Sequence, residues 1–206
     1  SLLFKDSTQK HLSAGYGSFG SYRVNASLNT GTRNGLGLYL RGSHLHSDGY
    51  KDHSGNTSHS VFLSPGYWGE KHKVYLVSFF GSQKNDLAWI GAPLDSIQKN
   101  PRFNANSRQE KDVFRQAHIQ LHHDWQLNKQ NRLHTGVFYN YLKGNYDFDL
   151  NNFLGMPPGS ELYNYAFSSD FAGAFFYHAH TSQKFTWYNG VQTQWNNRCH
   201  TGSEKN

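Results

Sequence analysis

Polar and apolar residues alternate with a period of two along much of this chain. From Gln116 to Leu127 the even positions read Gln, His, Gln, His, Asp, Gln, and the odd positions read Ala, Ile, Leu, His, Trp, Leu. Because successive side chains of a β-strand point to opposite faces, this segment is predicted to be a strand with one polar face and one mostly apolar face. The same pattern recurs along the chain, and we predict about nine strands in total.

The predicted strands are joined in sequence order as an all-β, antiparallel up-and-down meander. Their predicted bounds are Lys10–Phe19, Tyr22–Asn29, Leu36–His46, His59–Trp68, Lys73–Ser82, Val113–Asn128, Arg132–Asp147, Asn164–His180 and Phe185–Cys199. Pro65 lacks a backbone donor, so we predict a bulge or a strand break there. One continuous sheet face is predicted to carry Ile119, Leu121, Trp125, Val137, Tyr139, Phe175, Tyr177, Phe185, Trp187 and Val191.

The composition favours a membrane-spanning sheet over a membrane-spanning helix. No run approaches 18 apolar residues, whereas aromatic residues make up 16% of the chain. A strand of roughly 9–11 residues crosses a bilayer, and many alternating segments with aromatic ends are typical of a transmembrane β-barrel. The aromatic residues near strand ends, which fit a belt at the membrane interface, are Tyr67, Trp68, Trp125, Trp187 and Trp195.

Short and long connections alternate along the chain. The turns near 69–72, 129–131 and 181–184 are short, and the connections at 47–57, 83–112 and 148–163 are long. Alternate turns of an up-and-down sheet lie at the same edge, so all long loops are predicted to share one edge. Outer-membrane barrels show this asymmetry, with short periplasmic turns and long extracellular loops.

The long loops contain the residues that we predict to contact a ligand, namely Trp89, Arg102, Phe103 and Tyr163. Flat aromatic surface and fixed charge suit ligand capture at a barrel mouth. The alternative is that these side chains pack the loops onto each other. No nucleophile elbow or zinc-ligand spacing occurs, so we predict neither an enzyme nor a cofactor or metal site. The net charge of +6 is scattered along the chain and does not predict nucleic-acid binding.

Three segments resemble parts of TonB-dependent outer-membrane receptors of Gram-negative bacteria. Residues 13–22 resemble the first barrel strands, and residues 41–52 resemble a strand that rises into an early extracellular loop. Residues 79–82 followed by 87–93 are similar to the version found in the Bacteroides group. The resemblance implies outer-membrane import of a scarce ligand, an iron–siderophore complex or a cobalamin, through a barrel of about 22 strands around a plug.

The resemblance predicts that residues 1–206 form a single segment from the N-terminal part of such a barrel, without its plug domain. The lipid bilayer would surround this segment, and the TonB complex would be contacted by parts of the parent outside this chain. Two other classes remain open. One is a small complete barrel of about eight or ten strands with a structural or adhesive role, whose first and last strands pair. The other is a soluble β-sandwich or solenoid that binds carbohydrate.

Overall fold

All nine strands of the computed structural model lie in one antiparallel sheet, in the order β1 to β9. The structure describes residues 7–159 and 161–205. The strands are β1 Gln9–Tyr16, β2 Tyr22–Arg33, β3 Leu36–Ser47, β4 Asn56–Trp68, β5 His72–Asp86, β6 Lys111–Gln126, β7 Asn131–Asp149, β8 Leu162–Thr181 and β9 Thr186–Lys205. Two short helices, α1 Leu94–Lys99 and α2 Leu150–Phe153, lie between strands. The predicted antiparallel meander is therefore confirmed.

Several strands are longer than the sequence predicts. β5 continues to Asp86 and β9 continues to Lys205, beyond the predicted ends at Ser82 and Cys199. The predicted ends lie where the apolar residues of one face stop. Beyond those ends the ladder continues without an apolar face, because each residue still has a backbone donor and acceptor to pair.

The turn between β2 and β3 contains only Asn34 and Gly35. Both residues have positive φ angles, 50° and 79°, as a two-residue hairpin turn requires. The register of β2 against β3 shifts between Asn29 and Thr32, and Gly31 there has a φ of 69°. A bulge at this glycine therefore lies within the segment that the sequence predicts to be part of the turn.

Pro65 neither breaks nor bulges β4, so that prediction is wrong. β4 keeps one register with β5 on both sides of the proline, and only the pairs at Ser64 and Pro65 are interrupted. This register places Leu76 opposite Pro65, and the fully buried Ser64 hydroxyl donates to the Leu76 carbonyl at 2.7 Å. The hydroxyl thus replaces the backbone donor that proline lacks.

Residues directly opposite each other on paired strands share a face of the sheet, so the register fixes both faces. Ile119 lies opposite Tyr139, and Leu121 lies opposite Val137. We call this the apolar face and the other the polar face. Large residues of the apolar face include Leu12, Val24, Leu28, Leu38, Leu40, Val61, Leu63, Leu76, Phe80, Ile119, Leu121, Trp125, Val137, Tyr139, Phe176, Trp187, Val191 and Trp195.

The prediction of the apolar face is wrong for Phe175 and Tyr177. They lie opposite Gly136 and His134, on the polar face, whereas Phe176 lies opposite Val191 on the apolar face. Because three consecutive aromatic residues occur here, alternation does not determine which of them faces which side. Phe185 precedes β9, so strand pairing does not assign it to a face.

Four of the five residues predicted to form an aromatic belt lie on the apolar face, and the belt itself stays a prediction. The register places Tyr67, Trp125, Trp187 and Trp195 on the apolar face. Trp68 lies on the polar face, where its ring stacks on that of Tyr75 with 6.3 Å between centroids.

The apolar band crosses the sheet obliquely. On β1 it includes Leu12 and Tyr16, next to the loop that follows Tyr16, whereas on β9 it extends from Trp187 near the opposite edge to Trp195. A band that is level in a membrane shifts along successive strands in this way when the strands are tilted, as barrel strands are.

The sheet has no second layer and almost no apolar core. Within residues 7–159 and 161–205, the only buried hydrophobic side chains are Phe148 and Ala179. Val137 and Val191 on the apolar face are 52% and 69% exposed. A sandwich needs two sheets that bury their apolar faces against each other. A small closed barrel needs β1 to pair with β9, but in the described residues these two strands pair only with β2 and β8 respectively.

Helices of the described residues are all too short and too polar to cross a membrane.

Candidate functional site

The long connections share one edge of the sheet, as the alternation of loop lengths predicts. Four connections, at 17–21, 48–55, 87–110 and 150–161, lie at the loop edge. The opposite edge, which we call the turn edge, has only the short turns 34–35, 69–71, 127–130 and 182–185. Helices α1 and α2 belong to the loop edge. Any site built from loop residues must therefore form on this side.

Glu110 joins the two longest connections. Its carboxylate is fully buried and accepts hydrogen bonds from the Asn106 amide at 3.0 Å, the Ser107 backbone N–H at 2.6 Å and the Asp149 backbone N–H at 3.1 Å. The Asn152 amide donates to the same carboxylate at 3.3 Å. A buried carboxylate surrounded by donors is stable only while those donors stay in place, so Glu110 fixes both loops at their bases.

Asp149 shapes the connection that contains α2. Its side chain caps the helix by accepting from the Asn152 backbone N–H at 3.1 Å, and it also accepts from the Gly159 N–H at 2.8 Å. Asp149 is fully buried. One carboxylate thereby satisfies the helix start and the returning chain.

Asn104 ties the loop 87–110 to the loop 48–55. Its side-chain amide nitrogen lies 2.8 Å from the carbonyl oxygens of Asp52 and His53, and 2.9 Å from that of Leu87. The loops of the described chain are thus hydrogen-bonded to each other instead of standing free.

Arg102 and Phe103, two of the predicted ligand contacts, belong to this junction. Arg102 Nε donates to the Tyr50 carbonyl at 2.9 Å and lies 3.6 Å from Asp52 Oδ1. Its guanidinium lies 5.7 Å from the centroid of the Phe19 ring. Phe103 is half-buried beside it. The structure therefore shows loop packing for Arg102, which was the alternative interpretation, and ligand contact by these two residues stays a prediction.

Trp89 and Tyr163, the other two, are linked through a separate group of aromatic rings. The Trp89 ring lies 5.8 Å from Phe153, Phe153 lies 6.2 Å from Phe148, and Phe148 lies 5.8 Å from Tyr163. The Tyr163 hydroxyl donates to Glu204 at 3.4 Å. The four predicted residues thus form two pairs, and Trp89 is 53% exposed.

The polar face has a recess below the loops that sequence reasoning missed. Its volume is about 340 Å³. The polar-face residues that line it are Ser43, Leu45, Ser58, Ser60, Phe79, Gln83, Phe114 and Gln116. Hydroxyl and amide groups beside phenyl rings can bind a ligand with both polar and flat apolar parts. Alternation identifies these residues as polar-face residues, but only the register brings four strands together around one recess.

A second polar-face cluster lies toward the turn edge. His134 Nδ1 is 2.7 Å from Asp124 Oδ1, and His134 Nε2 is 3.3 Å from His122 Nδ1. The rings of Tyr75 and Tyr177 stack on His122 and His134 respectively, each at 4.8 Å. Among the described residues no group of three or more His, Cys, Asp or Glu side chains is placed to hold a metal ion.

Solved structures that match this chain include two transporters and a receptor. The chain superposes on the ferric citrate transporter FecA in its unliganded form with a TM-score of 0.74 at 13% identity, covering 98% of this chain and 31% of FecA. The superposition on BauA, the ferric preacinetobactin receptor from Acinetobacter baumannii, has a TM-score of 0.69 at 12% identity. It covers 94% of this chain and 32% of BauA. The superposition on the copper transporter OprC has a TM-score of 0.69 at 16% identity. It covers 95% of this chain and 29% of OprC.

These similarities show the fold, an antiparallel barrel wall, and the chain spans about a third of the length of each of the three proteins. No protein-family model matches the sequence, and no curated protein matches it.

Proposed function

We propose that this chain is part of the wall of an outer-membrane barrel of the TonB-dependent receptor type, and that the parent protein imports a small-molecule ligand. The observation that carries this proposal is a single-layer sheet whose apolar face is not covered by any other part of the chain within residues 7–159 and 161–205. Burial of apolar surface is worth about 25 cal/mol per Å², so an apolar face this large needs a cover. A lipid bilayer supplies one without a second layer of protein.

The dimensions of the apolar band support a membrane. On β7 the band runs from Leu133 to Tyr141, which is about 27 Å along a strand at roughly 3.4 Å per residue. A barrel-like tilt of about 35–45° reduces this to roughly 20 Å, close to the band of about 25 Å of outer-membrane barrels. Aromatic residues at both ends of the band complete the match.

The free edges of the sheet support a longer parent. Every residue of the 20-residue strand β9 is exposed. A long strand with unpaired backbone groups is a template for pairing, so we infer that neighbouring strands of the parent pair with β1 and β9. In this proposal, residues 1–206 are a single segment from the N-terminal part of the barrel. The plug and the groups that contact the TonB complex belong to other parts of the parent.

The ligand is proposed to approach from the loop edge. FecA and BauA are named for ferric citrate and ferric preacinetobactin, and OprC for copper. For this chain we propose an iron–siderophore complex or a cobalamin, contacted by Trp89, Arg102, Phe103 and Tyr163. The recess on the polar face lies next in its path. The closer relationship to receptors of the Bacteroides group rests on the likeness of residues 79–82 and 87–93 and is proposed on the same terms.

Neighbouring residues on β6 provide the test of membrane orientation. Leu121→Cys and Gln120→Cys are introduced separately into a cysteine-free form of the full-length protein, and each is spin-labelled. Because Leu121 lies on the apolar face and Gln120 on the polar face, the label at 121 should be accessible to oxygen dissolved in lipid. The label at 120 should be accessible to a water-soluble relaxation agent.

The two positions differ by one residue, so they control for depth and for labelling chemistry. If both labels were equally accessible to the water-soluble agent, the apolar face would not contact lipid and the barrel proposal would be wrong.

A further inference from the structure

Two cations are paired across neighbouring strands on the apolar face, at its loop-edge border. Arg115 lies directly opposite Lys143. Directly opposed side chains of an antiparallel pair have Cβ atoms about 4.5–5.5 Å apart, and like charges at such positions are destabilising. Both side chains are exposed. The protein therefore maintains a local repulsion that an anion between the two side chains would relieve.

Acidic side chains in the described part of the chain do not relieve the repulsion between Arg115 and Lys143. Neither Arg115 nor Lys143 forms an ion pair with any residue in 7–159 or 161–205. The closest acid by register on this face is Asp170, which lies one pair away opposite Tyr141. Its carboxylate already accepts a hydrogen bond from the Tyr139 hydroxyl at 2.5 Å.

Hydroxyl groups flank the two cations. Ser82 lies opposite Arg115 on one side, and Ser168 lies opposite Lys143 on the other. We call this row of Ser82, Arg115, Lys143 and Ser168 the cationic row. With strands about 4.8 Å apart, the row spans roughly 14 Å. Lys84 lies two residues along β5 from Ser82, on the same face and nearer the loop edge.

Arginine and lysine flanked by hydroxyls are suited to phosphate oxygens, since a guanidinium binds two of them at once and an ammonium adds a point charge.

The cationic row is continuous with the apolar band. The next row toward the turn edge contains Phe80, Ala117 and Tyr141. A recess of about 270 Å³ beside Arg115 is lined on this face by His59, Val61, Phe80 and Ser82. A molecule bound here would have its phosphate on the row and its apolar part on the band. A free phosphate ion would use only the row.

We propose that the cationic row binds the phosphorylated headgroup of a lipid in the outer leaflet of the membrane. The proposal rests on the membrane orientation of the proposed function. It identifies a lipid partner for the outside of the barrel, separate from the transported ligand.

The test uses the full-length protein in nanodiscs of phosphatidylcholine that contain purified lipid A. R115Q/K143Q should reduce the amount of lipid A that co-purifies with the protein at least tenfold. K71A/K129A is the matched control, because it removes two exposed cations at the turn edge and should leave lipid A retention unchanged. The parent protein should retain dephosphorylated lipid A as poorly as R115Q/K143Q retains lipid A.

Thermal stability gives an independent readout. In phosphatidylcholine alone, R115Q/K143Q should be at least as stable as the parent, because the substitution removes a repulsion. In lipid A nanodiscs it should be less stable than the parent.

Equal lipid A retention by R115Q/K143Q and K71A/K129A would overturn the proposal, as would complete displacement of lipid A by millimolar inorganic phosphate. A protein that inserts with the spin-label pattern described above but shows either result would disprove only the lipid site. A failure of that pattern would instead disprove the membrane orientation itself.

Discussion

At the scale of the residue, a substitution at Ile119 tests whether the apolar face contacts lipid or water. Its side chain is on the apolar face, opposite Ser78 and Tyr139 and within the apolar band. Arginine on the lipid face near the midplane of a barrel costs about 2–4 kcal/mol. Ile119→Arg should lower the free energy of unfolding of the membrane-inserted, full-length protein by that amount, measured from the denaturant midpoint.

Gln120→Arg is the control, since Gln120 is on the polar face and its amide oxygen lies 2.8 Å from His122 Nε2. Gln120→Arg should lower the free energy of unfolding by about 1 kcal/mol, which is the contribution of one hydrogen bond. Equal costs for the two substitutions would mean that the faces do not differ in their surroundings.

Alternation predicts the face of a residue where only one parity is apolar, as in β6. It fails in β8, where Phe175, Phe176 and Tyr177 are consecutive and hydropathy alone does not distinguish the two faces. Their assignment comes from pairing with Gly136 and Val191, whose position depends on the whole ladder. Glu110 shows the same limit, because its buried role depends on Asn152, which is distant in sequence.

At the scale of the element, β4 shows how a strand accommodates proline. The Ser64 hydroxyl donates to the Leu76 carbonyl opposite Pro65. Where the ladder is away from water, Ser64→Ala should leave that carbonyl without a donor and cost about 1–3 kcal/mol.

In a Pro65→Ala background the restored backbone N–H can donate instead, so Ser64→Ala should then cost clearly less. A double-mutant cycle on the unfolding free energy measures this coupling. Additive effects of the two substitutions would show that the hydroxyl does not replace the missing donor.

Strand order and the position of the loops are predictable from the sequence because they depend only on connection length and topology. Strand ends are less predictable. β5 and β9 extend past their last apolar residues, because backbone pairing continues where side-chain periodicity gives no signal. The prediction of four ligand contacts depends on residue type and on position in a long loop. Type and position do not predict that Arg102 packs on Tyr50 while Trp89 packs on Phe153.

At the scale of the whole molecule, the sheet and its loops have separate tasks. In the proposed barrel, the sheet presents an apolar face to the membrane and a polar face to the interior. The loops are bound together at one edge through Glu110 and Asn104. Since no strand pair involves residues 87–110, changes in that loop can alter ligand capture without altering the wall.

Deletion of residues 94–108 in the full-length parent, with a short Gly-Ser bridge, is therefore expected to weaken uptake but not assembly. The deleted segment contains α1, Arg102, Phe103 and Asn104 and no strand residue, so the folded barrel should still resist detergent on a gel. Uptake is measured with radioactive iron supplied as siderophore complexes and with radioactive cobalamin.

The Asn104→Ala variant distinguishes the effect of loop packing from that of direct ligand contact. It releases the loop 48–55 by removing hydrogen bonds to Asp52 and His53, but it retains Arg102 and Phe103. Direct ligand contact predicts that the deletion and R102A/F103A both reduce uptake more than Asn104→Ala does. Unchanged uptake and unchanged ligand affinity in the deletion variant would remove the proposed role of this loop. It would then be better described as a shield over the barrel mouth, held in place by the hydrogen bonds that Glu110 and Asn104 provide.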